Sequence, residues 1–508
     1  MLPPDYLATA PDNIIRLVNQ AEEDILCDMA RRIVQTGQLT ATAQWQAWRL
    51  EQLGASQTYI RQQLGRLTGK TQGEINALFQ EAGQQALYYD DQIYQAAGLN
   101  PGNPNDSPAL LNLLNAGAQQ TNGTFENLTA TTANTATQQF ERALDRAWLQ
   151  LSSGAFSYQT VIRQAIKDLA KQGLQAIIYP SGHVDPLDVA TRRAILTGLN
   201  QTAAKLSLSR ADDMGTDLVE VTAHHGARPS HQVWQGKVYS RSGENSRYPD
   251  FVSSTGYGSG PGLCGWNCRH NFFPFFEGLS RSAYPDAVLR RYENQTVTYN
   301  GEKLSYYDAT QKQRYLERQV RRWKREYLMM DAAGQDTTQA ATKLNAWRRS
   351  LDDFLKQTGL DRQASREMVN GFGRSAAASA KGLSQRLQKY GREGIIKQEI
   401  LKTGAIPEKA EIHLTPKKID IQTLGFDDAH LNQERNHHVS EEEAKLWIQN
   451  SILSATVWGG KFERYYGRDG AVYVNVAGHF IRTAYSSAEY DEKTKALMEV
   501  LKKYGLLL

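Results

Sequence analysis

Apolar residues recur at helical spacing through NIIRLVNQAEEDILCDMARRIV, and residues 4–98 as a whole carry the Gln, Ala and Glu bias of long helices. Asp12 or Asn13 is placed to cap the start. NPGNPNDS at 100–107 interrupts the period as a loop. The Thr/Asn/Ala-rich stretch TNGTFENLTATTANTATQQF reads either as helix or as a segment ordered only in an assembly. A second helical block starts at Phe140 and ends at Gly154. It is followed by SYQTVIRQAIKDLAKQG, with Ser157 as cap and Gly173 as stop. After the turn at Pro180, a third helix is expected in VDPLDVATRRAILTGLNQTAAKLSLSRADDMG, with Pro186 near its first turn.

DLVEVTAHH has the alternation of a strand, and residues 225–281 are loop-rich in Gly, Pro, Ser, Tyr and Trp. Helical pattern returns from Tyr307 to about Leu360 and continues over 361–402, broken at GFGRS. GAIPEKAEIHLTPKK reads as a linker. Beyond it come a helix at VSEEEAKLWIQNSIL, strands at FERYYG, AVYVNVA and HFIRTAYS, and a last helix at DEKTKALMEVLKKYG. The class is α+β, predominantly helical and multidomain. The expected parts are a helical body (1–215), a loop-rich α+β module (216–300), a basic helical arm and linker (301–402) and a small α+β domain (403–508).

Composition changes this picture little. With 508 residues, 40% hydrophobic and 22% charged, globular cores are expected. A net charge of +4 does not by itself call for nucleic acid. No apolar run is long enough for a membrane span, so no membrane partner is expected. The first residues lack a signal-peptide pattern, so synthesis in the cytoplasm is expected. Three cysteines (Cys27, Cys264 and Cys268) do not suggest a disulfide framework.

The most specific segment is VEVTAHHGARPSHQVWQGKVYS, followed by STGYGSGPGLCGWNCRHNFFPFFEG. It carries His225, Gly226, Arg228, Pro229, His231, Trp234, Gln235, Gly236, Cys268, Arg269 and His270 in order, behind a helix containing TRRAILTGLNQTAA. This set resembles the phage minor capsid protein 2 family and, more distantly, MuF-like head morphogenesis proteins. The resemblance implies a structural head protein of a tailed bacteriophage, near the portal. It implies portal, major capsid and scaffolding proteins as partners, assembly in the bacterial cytoplasm and residence in the virion.

Two readings of the Cys/His residues stay open. Cys264, Cys268, His270 and His231 (or His224 or His225) are ligand types for a structural Zn2+. Alternatively, Arg228, Trp234, Arg269 and the Phe272–Phe276 cluster fold a knot in which guanidinium groups bond carbonyls and stack on rings. The run RQVRRWKREY is likewise either a solvated basic face opposite a Trp323/Tyr327 packing stripe or a contact for packaged DNA.

The final hundred residues resemble, more weakly, the barnase–EndoU–colicin–RelE group of nuclease-like domains, through HLNQERNHHVSEEEAKLWIQ and WGGKFERYYGRDGAVYVNVAGHFIRTAY. Metal-free RNA cleavage needs a base, an acid and cations at the phosphate. His430, His437, His438 and His479 are candidates for proton transfer; Lys461, Arg464 and Arg482 for the phosphate; and Thr483 as a hydrogen-bond donor. Host RNA would be the substrate. The competing reading is a non-catalytic binding module, with Ser440 and Glu443 simply forming a capping box.

Overall fold

A computed structural model describes residues 1–38 and 42–507, so residues 39–41 of the predicted helical stretch lie outside the described residues. The fold is α+β and helix-dominated, as the pattern predicts. It separates into two compact units. The first comprises residues 1–149, 165–329 and 343–376; the second comprises 150–164, 330–342 and 377–508.

The first unit is organised by two long helices, Thr42–Ala96 and Pro108–Ser152. They run antiparallel as a ladder of side-chain pairs. Trp45 stacks on Trp148 at 4.8 Å, Arg49 pairs with Glu141 (2.7 Å) and Asp145, the Thr68 and Thr129 hydroxyls meet at 3.0 Å, and Gln72 donates to Glu126 at 2.6 Å. Further along, Asn122 donates to Asn76 at 2.8 Å, and Leu87 shares an apolar cluster with Leu110. This explains the polar bias of both segments. Their facing sides exchange hydrogen bonds, and buried Thr132 returns its hydroxyl to the Leu128 carbonyl one turn back. The Thr/Asn/Ala-rich stretch is therefore helix, and no new block starts at Phe140: one helix runs through both.

Ser157 and Gly173 bracket the helix Tyr158–Gln172 as expected, Gly173 taking φ 65°. A small hairpin, Gln175–Ile178 with Val184–Pro186, follows where only a turn was expected. A second hairpin, Thr296–Tyr299 with Glu302–Ser305, was also not foreseen. Both are too short for their alternation to stand out.

Leu187–Asp213 is the central helix, with 15 buried residues. Against it lies a three-stranded antiparallel sheet whose middle strand, Leu218–Val221, pairs with Val238–Ser240 and Phe272–Pro274. The basic helix Tyr306–Ala332 contributes Arg325 to the core. Arg325 donates to Glu22 at 2.5 Å and lies 3.5 Å from Glu23, while the other Glu22 oxygen accepts the Leu174 N–H at 2.9 Å. Arg321 pairs with buried Asp188 at 2.5 Å, Lys324 donates to the Glu367 carbonyl, and Arg322 stacks on Trp323. Much of RQVRRWKREY is thus committed within the unit rather than presented as one solvated basic face, while Trp323 and Tyr327 are buried as the expected stripe. The following helix, Thr338–Thr358, is separated from it by a turn at Gly334.

The second unit is built on a six-stranded sheet. Its order is Glu411–His413, Leu453–Val457, Phe462–Tyr466, Gly470–Asn475, Phe480–Ser486 and Gly425–Phe426, antiparallel except for the last pair. The segment read as a linker supplies the edge strand Glu411–His413. The helix Glu441–Gln449 covers one face through Ala444 and Ile448, and its Ser440–Glu443 capping box forms as read. The helix Glu492–Lys503 ends where Arg163 and Arg392 donate to the Lys503 and Tyr504 carbonyls. Among the described residues, no helix is long and apolar enough to cross a membrane.

Removing Arg325 leaves Glu22 and Glu23 buried without their counter-charge. Arg325→Ala should cost about 3–5 kcal/mol in urea unfolding of the full chain, against less than about 0.5 for the exposed Arg16→Ala. Burial pushes the Glu23 carboxyl up to about 8 despite Arg325. Its stabilising contribution is therefore complete below the unfolded value of about 4.5 and is lost as pH rises towards 8. The cost of Arg325→Ala should shrink at pH 5; an equal cost at pH 5 and 8 would contradict this account.

Candidate metal centre and the cavity beside it

Three polar groups from two loops meet under the three-stranded sheet. Pro229 starts the short helix Pro229–Gln232, with Arg228 at its N-cap, and this helix carries His231. The Gly-rich segment 256–268 carries Cys268, and the chain leaving it carries His270. The coil is tight: a Cβ on Gly262 would lie 1.9 Å from the Gly256 oxygen, and one on Gly265 would lie 2.1 Å from that of Gly260. Cys264 and Asn267 take left-handed backbone, with φ 59° and 54°. Asn200, fully buried on the central helix, donates to the carbonyls of Cys268 (3.0 Å) and His270 (2.9 Å) and accepts from Asn271 (2.7 Å). These bonds fix the segment's path.

The result is a buried group of His231, Cys268 and His270 whose ligand atoms lie within 4.8 Å of one another. His231 Nδ1 and His270 Nδ1 are 3.4 Å apart, and the Cys268 sulfur lies 3.7 and 3.6 Å from them. The outer nitrogens define the tautomers. His231 Nε2 faces the Pro261 carbonyl at 2.9 Å, which can only accept. His270 Nε2 faces Gln235 Oε1 at 3.0 Å, and that oxygen is identified as an acceptor by the His224 N–H it also binds at 3.1 Å. Both Nε2 atoms therefore carry hydrogen, and both Nδ1 lone pairs point toward the sulfur. Burial holds His231 down to about 4 and His270 well below the usual histidine range, so both rings are neutral, as ligands must be. Burial raises the Cys268 thiol, so its single S–H can cap one Nδ1 and leaves the other lone pair facing its neighbour.

Of the four residues predicted as ligands, the structure brings three together. Cys264 is buried nearby, its sulfur 3.5 Å from the His270 carbonyl, but lies outside the group. His224 stacks on the His270 ring at 4.4 Å. His225 turns away, to Gln295 and to the Tyr292 ring at 4.0 Å. The knot reading also has support: Arg228 donates to the Trp266 carbonyl at 2.9 Å, Arg269 reaches His224 at 3.2 Å, and the Trp234 ring stands edge-on to His270 at 4.9 Å. Gly236, at φ 66°, turns the chain so that its N–H reaches the Val221 carbonyl.

The triad forms part of the wall of a cavity of about 350 Å³. Seven arginines line it, against two carboxylates, Asp188 and Glu317. Sequence reading missed Arg192, Arg314 and Arg366 in this role, since they are far apart in the chain. It also missed Asn200, for which the one available signal was an amide amid the apolar positions of AILTGLNQTAA.

In the second unit the candidate nuclease residues fall into separate places. His430 Nδ1 meets Glu434 at 2.7 Å, Arg482 pairs with Asp427 at 2.8 Å, and His479 Nε2 meets the Thr423 hydroxyl at 2.7 Å. Elsewhere, Arg464 lies over the rings of Trp458 (4.8 Å) and Tyr473 (4.5 Å), and Thr483 sits opposite Tyr473 in the sheet. His437 Nδ1 meets Glu489 at 2.8 Å. Lys461 and His438 are exposed. Among the described residues, no hydrogen bond joins any two of these eight side chains.

The sequence profile described as phage minor capsid protein 2 matches residues 2–356. The chain is similar to a structural protein of Lactococcus phage LL-H, 29% identical over 258 residues, which cover 48% of this chain and 66% of that protein. It is also similar to a structural protein of Lactococcus phage mv4, 30% identical over 128 residues, covering 25% of this chain and 94% of that one. The chain thus spans slightly less than two thirds of the length of the LL-H protein. No solved structure matches.

Proposed function

The chain belongs to the phage minor capsid protein 2 family, and on that premise we propose that it is built into the head of a tailed bacteriophage at the portal vertex. As a phage structural protein it is a component of the virion. Portal, major capsid and scaffolding proteins are its partners in this reading, and assembly takes place in the bacterial cytoplasm. The observation that carries it is the extent of the match, which takes in both long helices and the whole Cys/His knot. Helices of 55 and 45 residues are about 80 and about 70 Å long at 1.5 Å per residue. Cross-braced along their length, they suit a part that spans between subunits. Antibody against the chain should label one vertex of purified particles by electron microscopy. Label on every vertex, or none with the chain absent from particle proteomics, would overturn the placement.

In the same reading the triad holds a structural Zn2+. A tetrahedral ion with Zn–N of about 2.0–2.1 Å and Zn–S of about 2.3 Å separates N···N pairs by about 3.4 Å and N···S pairs by about 3.6 Å. The three observed spacings match those edges. Pro261 and Gln235 act as the outer acceptors that orient ligating imidazoles. Purified full-length chain should carry about one zinc, lost in Cys268→Ser and His231→Ala but kept in Cys264→Ser. Cobalt substitution should give tetrahedral visible bands with a thiolate charge-transfer band. Folded protein that binds neither metal would refute the centre.

A second reading, an RNase-like effector acting on host RNA, is favoured by one chain of contacts. The His437–Glu489 pair lies against Tyr485 (5.8 Å between rings), whose hydroxyl meets that of Tyr473 at 2.9 Å under the Arg464 guanidinium. His437 would take the 2′-OH proton with Glu489 orienting it, the 2′-oxygen would displace the 5′-oxygen at phosphorus, the leaving oxygen would take a proton from water, and Arg464 would face the phosphate. The full chain should then cleave RNA in the presence of chelator, and His437→Ala should lower the rate at least about 100-fold. Intact RNA from folded chain would make this sheet a binding module.

A further inference from the structure

We infer that the arginine-lined cavity is a binding site for a phosphoryl oxyanion. The argument starts from the unbalanced charge of its walls. Two of its seven arginines are paired with carboxylates, Arg192 with Asp12 at 2.7 Å and Arg321 with Asp188 at 2.5 Å, while Arg228 at the edge donates to the Trp266 carbonyl and Arg269 reaches the His224 ring. Arg269, Arg314, Arg318 and Arg366 form no ion pair among the described residues. They come from three separate segments: the chain beside the triad, the basic helix and the short helix Ala364–Glu367.

Arg314 and Arg366 are only partly exposed, and both are held below the usual arginine range, Arg366 at about 9. Burial is the first cause, and the neighbouring guanidinium groups add to it. The acid closest to them in effect, Glu317, is raised to about 7 by burial, so it offsets only part of the charge of the guanidinium groups around it. A fold that gathers uncompensated guanidinium groups in one concavity loses stability by doing so. An anion that accepts their planar forks recovers it, and tetrahedral phosphoryl oxygens match that geometry well.

The cavity's size limits the ligand. About 350 Å³ is at the small end of ligand pockets and admits a phosphate, a pyrophosphate or a phosphorylated chain end, not the body of a duplex. Two sources supply this chemistry: a free phosphate compound, or the terminal phosphate of a nucleic acid. The inference does not rest on the zinc reading, because the four unpaired arginines are present whether or not the triad holds a metal.

The test uses the full chain, chelated and zinc-loaded, titrated calorimetrically at low salt. The probes are pyrophosphate, a glutamate-rich peptide and two short oligonucleotides, one with a 5′-phosphate and one with a 5′-hydroxyl. Pyrophosphate should bind with micromolar affinity and raise the melting temperature. Arg314→Gln with Arg366→Gln should weaken binding at least tenfold while leaving the unliganded melting temperature equal or higher, because self-repulsion is relieved. Arg318→Gln, at the exposed rim, provides a second variant should that pair fail to fold, and should weaken binding at least threefold. Preference for the 5′-phosphorylated oligonucleotide over pyrophosphate assigns the nucleic-acid source, and the reverse assigns a free phosphate compound. Absence of binding by either phosphate probe in both metal states would overturn the inference, as would equal affinity in wild type and variants. Binding of a glutamate-rich peptide but not phosphate would overturn it in favour of an acidic protein partner. Failure of the chain to take up zinc, with pyrophosphate binding retained, would sink the metal centre and leave this inference standing.

Discussion

The amide of Asn200 is the joint on which the candidate site depends. It lies fully buried on the central helix, where an unpaired amide would be costly, and it spends its N–H groups on two carbonyls of the Cys268–His270 segment. Those two bonds place the thiol and an imidazole relative to a rigid helix, while Asn271 closes the arrangement from the sheet side. The same helix carries Asp188 and Arg192 into the cavity wall. Triad and cavity are therefore referenced to one rod, and the loop-rich segment around them needs little regular structure of its own.

The basic helix shows how one stripe of charge is put to two uses. Arg314, Arg318, Arg321 and Arg325 follow one another at spacings of three or four, so they share a face. Toward the C-terminal end the stripe is neutralised: Arg325 by Glu22 and Glu23, Arg321 by Asp188. Toward the N-terminal end it is not, and that half opens into the cavity. Buried ion pairs are poor sources of net stability, but breaking one is expensive. The paired half therefore fixes where the helix sits, and that position delivers the unpaired half to the concavity.

Much of the architecture was legible because it depends on local rules. Ser157 and Gly173 bracketed a helix, Ser440 and Glu443 formed their box, and the β-branched run at 218–221 became the central strand. Failures came where tertiary pairing overrides local composition. The Thr- and Asn-rich stretch left helix and order only in an assembly both open, and it is helix because facing a second polar helix its side chains find partners such as Asn76 and Thr68. EIH looked like linker because three residues carry no period, yet it pairs along Leu453–Val457. In the site, the ligand types could be read but not the selection among them. His224, His225 and His231 are near-equivalent in sequence, and only the fold turns His225 away, stacks His224 and aims His231 at the sulfur. Of the cavity arginines, Arg318 and Arg321 were legible only as part of a charge run and Arg228 and Arg269 only as motif residues, while Arg192, Arg314 and Arg366 lie far apart in the chain and gave no joint signal.

The triad and the cavity share a wall, so if zinc fills the one and an anion the other, as proposed above, the two occupancies are linked. Zinc bound by one thiolate and two neutral imidazoles leaves a net positive charge beside guanidinium groups that already repel one another. Taken alone, that is unfavourable for the metal. An oxyanion in the cavity changes the sign of the nearest field, so it favours metal binding, and by linkage the metal favours the anion by the same factor. With a relative permittivity near 20 and a separation of several ångströms, one such charge pair is worth on the order of 1–3 kcal/mol. On the zinc reading, the metal affinity of the triad would then report whether the cavity is filled. The position of Gln235 fits this coupling: its one carbonyl oxygen accepts from both His270 and the backbone of His224, whose ring is reached by Arg269 of the cavity wall. Movement of that guanidinium toward an anion would be felt at His270 through a single shared acceptor.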